Sequence, residues 1–212
     1  MTGALLIDDS TDQECHELLV RLSGRLPDEL MWRLRDWLAA GSRITVSTTL
    51  PRELLRHRVG LTEDECELLA AAVGNWGASR RILDAVLPVD VPDQPIAEFH
   101  GSTPDLGLAE LSLIAVVRGH PRCVELLQTR RTTVAAAGAR AVRREQRMVL
   151  VRGGERPWAL TGTLQRLLRA HGDRTPCVEV LPGYGEPTTY HRVAVENAAV
   201  LWRGPTGGPI GA

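Results

Sequence analysis

The sequence predicts a two-part α/β (or α+β) protein: an N-terminal helical bundle followed by a small, mainly parallel sheet domain. Three observations carry this. Capped, glycine-stopped helical patterns fill residues 1–90, and short apolar runs alternate with helical patterns from Leu111 to Arg203. Between them lies Val89–Pro95, which has two prolines and no periodicity. The expected boundaries are an acidic bundle over 1–90, a basic α/β domain over 95–205 and a Gly/Pro-rich tail over 206–212.

In the bundle, Ser10 and Gln13 have capping-box spacing ahead of a face made by Cys15, Leu18, Leu19 and Leu22, stopped by Gly24. A second helix starts near Pro27, buries Leu30, Leu34, Trp37 and Leu38, and stops at Gly41. Trp32 points away from that face, to pack under the first helix or to serve a partner as an aromatic anchor. Ser42–Ser47 is β-branched and reads as extended, ahead of a short helix from Leu50 to Arg58. Thr62 and Glu65 form the clearest capping box, with Leu61 and Cys66 spaced as a hydrophobic staple. Gly74–Gly77 then turns the chain into a fifth helix, with Arg80 and Arg81 at its start. A helix-turn-helix reading of the last two helices is disfavoured by the acidity of this half.

In the second half, Ile96–Phe99 suggests an edge strand. Leu113–Val117, Met148–Val151, Val178–Leu181 and Val200–Trp202 read as strands. Pro121–Gln128, Val134–Gln146 and Pro157–His171 read as helices. Thr189–Asn197 fits a helix behind a threonine cap or an alternating strand.

Each of the four expected strands runs into a glycine turn, and three of those turns open with Arg-Gly. In a parallel sheet, ligands bind at the carboxyl ends of strands. Arg118, Gly119, His120, Arg152, Gly153, Gly154, Gly183, Gly185 and Arg203 are therefore the candidate ligand-binding residues, suited to phosphate or carboxylate. His120 and Glu155 have acid–base chemistry to offer there. Trp32, Arg140, Arg143, Arg144 and Arg147 are the candidate partner-binding residues, the four arginines forming one side of a basic helix.

Composition removes several function classes. The chain of 212 residues has no Lys, which excludes Schiff-base chemistry and a Walker-type lysine. No dinucleotide fingerprint or nucleophile elbow occurs, and no cofactor is implied. His120, Cys123, His171 and Cys177 have zinc-ligand chemistry, with passable spacing in the first pair and poor spacing in the second. Both cysteines sit in apolar runs that suit small buried thiols, so no metal is expected. The four cysteines lie far apart in apolar patterns, as reduced thiols of a cytoplasmic protein do. No apolar run is long enough to span a membrane.

Charge is split between the halves. Residues 1–94 carry 16 acids and 10 Arg, giving −6, whereas residues 95–212 carry 10 acids and 15 Arg, giving +5. The leading expectation is a non-enzymatic adaptor or regulatory protein of the bacterial cytosol that binds another protein through its helical domain. The alternative is a small enzyme or sensor for an anionic small molecule at the glycine turns. Nucleic acid comes third, because no aromatics interleave with the arginines.

Overall fold

A computed structural model describes residues 2–92, 97–101, 106–134, 143–183 and 187–204, excepting the side chains of 2–8, 134, 143 and 144. The chain divides into two compact units, Met1–Ile96 with Arg156–Thr163, and Ala97–Glu155 with Leu164–Ala212.

The first unit is helical: α1 (Thr2–Arg21), α2 (Asp28–Ala39), α3 (Arg43–Arg56), α4 (Glu63–Leu69), a π-helical turn over Ala70–Gly74, and α5 (Arg80–Leu83). Leu18, Leu19, Leu22, Leu34, Leu38, Leu50, Leu54 and Val73 build its core, joined by Trp158. Gly41 ends α2 at φ +71°, and the Ser42 N–H reaches back 2.8 Å to the Trp37 carbonyl, a glycine-stopped terminus. The Thr62 box is formed as expected: the Glu65 N–H donates to Thr62 Oγ1, and the Thr62 N–H donates to Glu65 Oε2.

Two local readings need correction. Ser10 does not cap α1, because the helix already runs from Thr2, and Ser10 lies inside it. The segment before it contains Ala4, Leu5 and Leu6, good helix formers that carry the helix through the apparent box. Ser42–Ser47 is not extended, since α3 takes in Arg43–Ser47 and encloses Pro51. Val46, Leu50 and Leu54, spaced by four, are all fully buried, and that stripe outweighs β-branched propensity.

Among the described residues, the second unit holds a five-stranded sheet: β1 (Ala97–His100), β2 (Cys123–Val134), β3 (Arg143–Gly153), β4 (Cys177–Leu181) and β5 (Ala199–Arg203), with helices α6 (Leu108–Gly119) and α8 (Thr189–Glu196). Helix α7 (Pro157–Ala170) contributes its first residues to the helical unit and the rest to this one. The sheet is mixed rather than mainly parallel: β3 and β4 pair parallel, whereas β1–β2, β2–β3 and β2–β5 are antiparallel. β2 pairs with β3 along one edge. Its other edge is shared, with β5 opposite Glu125–Gln128 and β1 opposite Arg130–Thr133.

Leu113–Val117 is helix, not strand, and Pro121–Gln128 gives way to strand, not helix. In α6, Leu113 and Val117 are buried one turn apart, and the helix packs on β2 and β5. Central β2 buries every residue from Glu125 to Thr129, so its apolar residues run together instead of alternating. An apolar pair at 126 and 127 fits a helix face equally well, which is why the pattern misleads. The expected basic helix over 134–146 is also corrected: Arg143–Gln146 belong to β3. Thr189–Asn197 takes the helical alternative, with Thr188 as cap.

A polar layer lies under α8. Arg131 and Gln146 face each other across β2 and β3 and so share a sheet face. Arg131 donates to Tyr190 Oη at 2.7 Å and to Gln146 Oε1 at 2.6 Å, and Gln146 donates to the Thr175 carbonyl. Glu179 and His191 are buried in the same unit. Among the described residues, no helix is long and apolar enough to cross a membrane.

Candidate functional site

Sheet topology brings several of the expected ligand-binding residues to one end. β3 and β5 both run antiparallel to β2, and β4 runs parallel to β3. The carboxyl ends of β3, β4 and β5 therefore meet the amino end of β2. Glu125 on β2 stands opposite Arg152 of β3 and Arg203 of β5. Arg203 Nε donates to Glu125 Oε1 at 2.7 Å, and Arg152 Nη1 lies 3.8 Å from Oε2. The carboxylate is buried, while both arginines keep solvent-facing surface. Beside them, Arg122 pairs with Glu155 at 3.0 Å. Three arginines against two carboxylates leave a surplus of one positive charge.

The glycines serve the turns more than a ligand. Gly153 has φ +78°, and a Cβ there would come within 2.3 Å of the Arg122 carbonyl oxygen. Gly183 packs against Gly153, its Cβ position 3.4 Å from the Gly153 Cα. The N–H groups of Gly154, Glu155 and Gly204 donate to the carbonyls of Arg122, Pro121 and Val124. These backbone donors are therefore already engaged, and among the polar groups left facing solvent at this end are the guanidiniums of Arg152 and Arg203. Arg122 itself holds φ 60°, a conformation uncommon outside glycine.

The remaining candidates are placed unevenly. Arg118 is exposed on the last turn of α6, and a side chain at Gly119 would meet nothing within 4 Å. His120 Nδ1 lies 3.2 Å from the Pro121 carbonyl and 3.7 Å from Cys123 Sγ. Gly185 and Arg140 lie outside the described residues, as do the side chains of Arg143 and Arg144. Arg147 is turned to its own unit, 2.7 Å from Glu110 and 3.8 Å from Asp173. Trp32 is half-buried, with the Arg33 guanidinium 5.8 Å from its ring centre.

The zinc-type set does not assemble. His120 and Cys123 are neighbours, but Cys177 opens β4 opposite Met148, whereas Cys123 pairs with Gly153 at the far end of β3. Burial pushes the Cys123 thiol up to about 11. It thus stays protonated at neutral pH despite His120, the wrong state for a nucleophile. In native protein at pH 8, its thiolate fraction is on the order of a thousandth, so iodoacetamide should alkylate it about a hundredfold more slowly than in urea. Peptide mapping of both reactions measures this. Equal rates would mean an activated Cys123–His120 pair.

Sequence reasoning missed Glu125 and Arg122. Reading 121–128 as a helix hid the cross-strand positions that set Glu125 between two arginines. Comparison with protein-family models, curated proteins and solved structures finds no match for the chain.

Proposed function

We propose that the sheet unit binds a small phosphorylated or carboxylated ligand at its strand ends, as a sensor or regulatory module. The observation that carries this is the convergence of Arg152 and Arg203, from two different strands, on the single carboxylate of Glu125. One carboxylate balances one guanidinium, and the second retains charge and donors for a planar or tetrahedral anion. Glu125, buried and accepting from Arg203, holds that guanidinium in place beforehand and so lowers the ordering cost of binding.

Thermal unfolding in pyrophosphate and in citrate, at fixed ionic strength against chloride, tests the reading. A ligand at a hundred times its Kd stabilises by about 2.7 kcal/mol, so a saturable rise in Tm is expected. The Arg152→Ala/Arg203→Ala variant should lose it. A wild-type Tm indifferent to both anions, or the same rise in the double variant, overturns the proposal.

A second reading is an adaptor that binds another protein through the helical unit, favoured by the part of Trp32 left uncovered. A cytoplasmic location fits either reading.

A further inference from the structure

We infer that Thr188 is a nucleophile activated by the buried His191–Glu179 pair, giving the chain an acyl-transfer activity toward small activated esters. This goes beyond the anion-binding reading and rests on different residues. Thr188 Oγ1 lies 2.8 Å from His191 Nδ1, and His191 Nε2 lies 3.4 Å from Glu179 Oε2. His191 is 1% and Glu179 2% exposed, whereas Thr188 is exposed. The residue that bears the hydroxyl thus faces solvent, and the groups behind it are shielded from water.

The proton positions follow from the charges. Nε2 is buried without an aligned hydrogen bond, and the Glu179 carboxylate lies 3.4 Å from it. A carboxylate at that distance favours the tautomer with its proton on Nε2. Nδ1 then carries the lone pair, and the Thr188 hydroxyl is the donor between them. That is the arrangement of a hydroxyl nucleophile and its general base, with a carboxylate beside the base to stabilise the imidazolium that forms.

Local structure supplies the rest. Thr188 stands just outside α8 at φ −55° and ψ 158°, and three residues bring His191 round beneath it. The hydroxyl also accepts the His191 N–H at 3.4 Å, as a helix cap. The cap alone does not call for a histidine sealed against a glutamate. The N–H groups of Thr189 and Tyr190, in the first turn, have no acceptor within the helix and sit at its positive end. An oxyanion on an acylated Thr188 would draw on these donors for stabilisation.

In the reaction, the Oγ1–carbon bond forms as the hydroxyl proton passes to His191 Nδ1. The bond from the acyl carbon to the leaving oxygen then breaks, and the imidazolium returns the proton to that oxygen. Water attacks the acyl-Thr188 carbon, gives one proton to His191 and releases the carboxylic acid, and the hydroxyl of Thr188 is restored. Ester and water become acid and alcohol, with no change of oxidation state.

The test is p-nitrophenyl acetate with the full chain, following p-nitrophenolate release and mapping acetyl groups by mass spectrometry after acid quench. The absence of Lys keeps background acetylation low. Acetyl on Thr188 is expected in the wild type and in Thr188→Ser. Thr188→Asn preserves a good helix cap but has no hydroxyl. It should lose the adduct and about 10²–10⁴-fold of the turnover, the usual worth of such chemistry. No acetyl on wild-type Thr188, or unchanged turnover in Thr188→Asn, overturns the inference.

Discussion

Replacing Glu65 with Ala should destabilise the helical unit by about 3–5 kcal/mol, the usual effect of leaving one half of a buried ion pair unpartnered. Glu65 and Arg25 are each only 5% exposed in their side chains and meet at 2.7 Å. Arg25 also donates to the Gly60 carbonyl, and Glu65 accepts the Thr62 N–H at the start of α4. The Ala variant therefore removes the counter-charge of a buried guanidinium and the second half of the capping box at once. Glu65→Gln separates these effects. An amide can still accept the Thr62 N–H, so the box survives while the charge is lost. The urea midpoint should fall for both variants, further for Ala. An Ala variant within about 1 kcal/mol of wild type would mean that Arg25 finds water, and that the pair is a surface one.

Arg131→Met should destabilise the sheet unit by about 2–6 kcal/mol although methionine fills much of the volume, because two buried acceptors lose their donor at about 1–3 kcal/mol each. Arg131 is 2% exposed. Its loss leaves Tyr190 Oη and Gln146 Oε1 without their donor inside the protein. Tyr190→Phe removes one acceptor and keeps the charge, and should cost about 1–2 kcal/mol. Phe99 meets the Tyr190 ring edge-on at 5.2 Å, a contact the Phe variant retains. Burial, foremost, holds the Tyr190 phenol well above its ordinary range. Because the folded pKa is raised, this contribution is complete below about pH 10, the unfolded value, and is lost as pH climbs above it. Phenolate absorbance from Tyr190 should consequently appear together with alkaline unfolding. Its appearance in folded protein, or an Arg131→Met midpoint equal to that of Tyr190→Phe, would contradict the account.

Local chemistry made part of this architecture legible from the residues alone. The Thr62–Glu65 box, the Gly41 stop and the β3, β4 and β5 cores have signals contained within a few residues, and each appears in the structure. Leu113–Val117 and Pro121–Gln128 were misleading because tertiary position decided them. A central strand buried on both faces loses its alternation, and a helix packed on a sheet tolerates β-branched residues. The site was half legible for a related reason. Arg152 and Arg203 stand out beside their glycines, but their meeting point, Glu125, exists only through the pairing of β2 with both neighbours. Thr188 and His191 are three apart, which any cap would share, and Glu179 lies across the sheet unit from what a local window can see.

The shared edge of β2 bears on synthesis of the chain. Glu125 and Arg203 are joined across 78 residues of sequence. While the ribosome makes α7, β4 and α8, the stretch of β2 from Glu125 to Gln128 has no partner on that side. Unpaired strand edges invite pairing with other chains. The nascent sheet thus remains open to strangers until β5 emerges and covers that edge, so a ribosome stalled before Ala199 would release a sheet with this edge still bare.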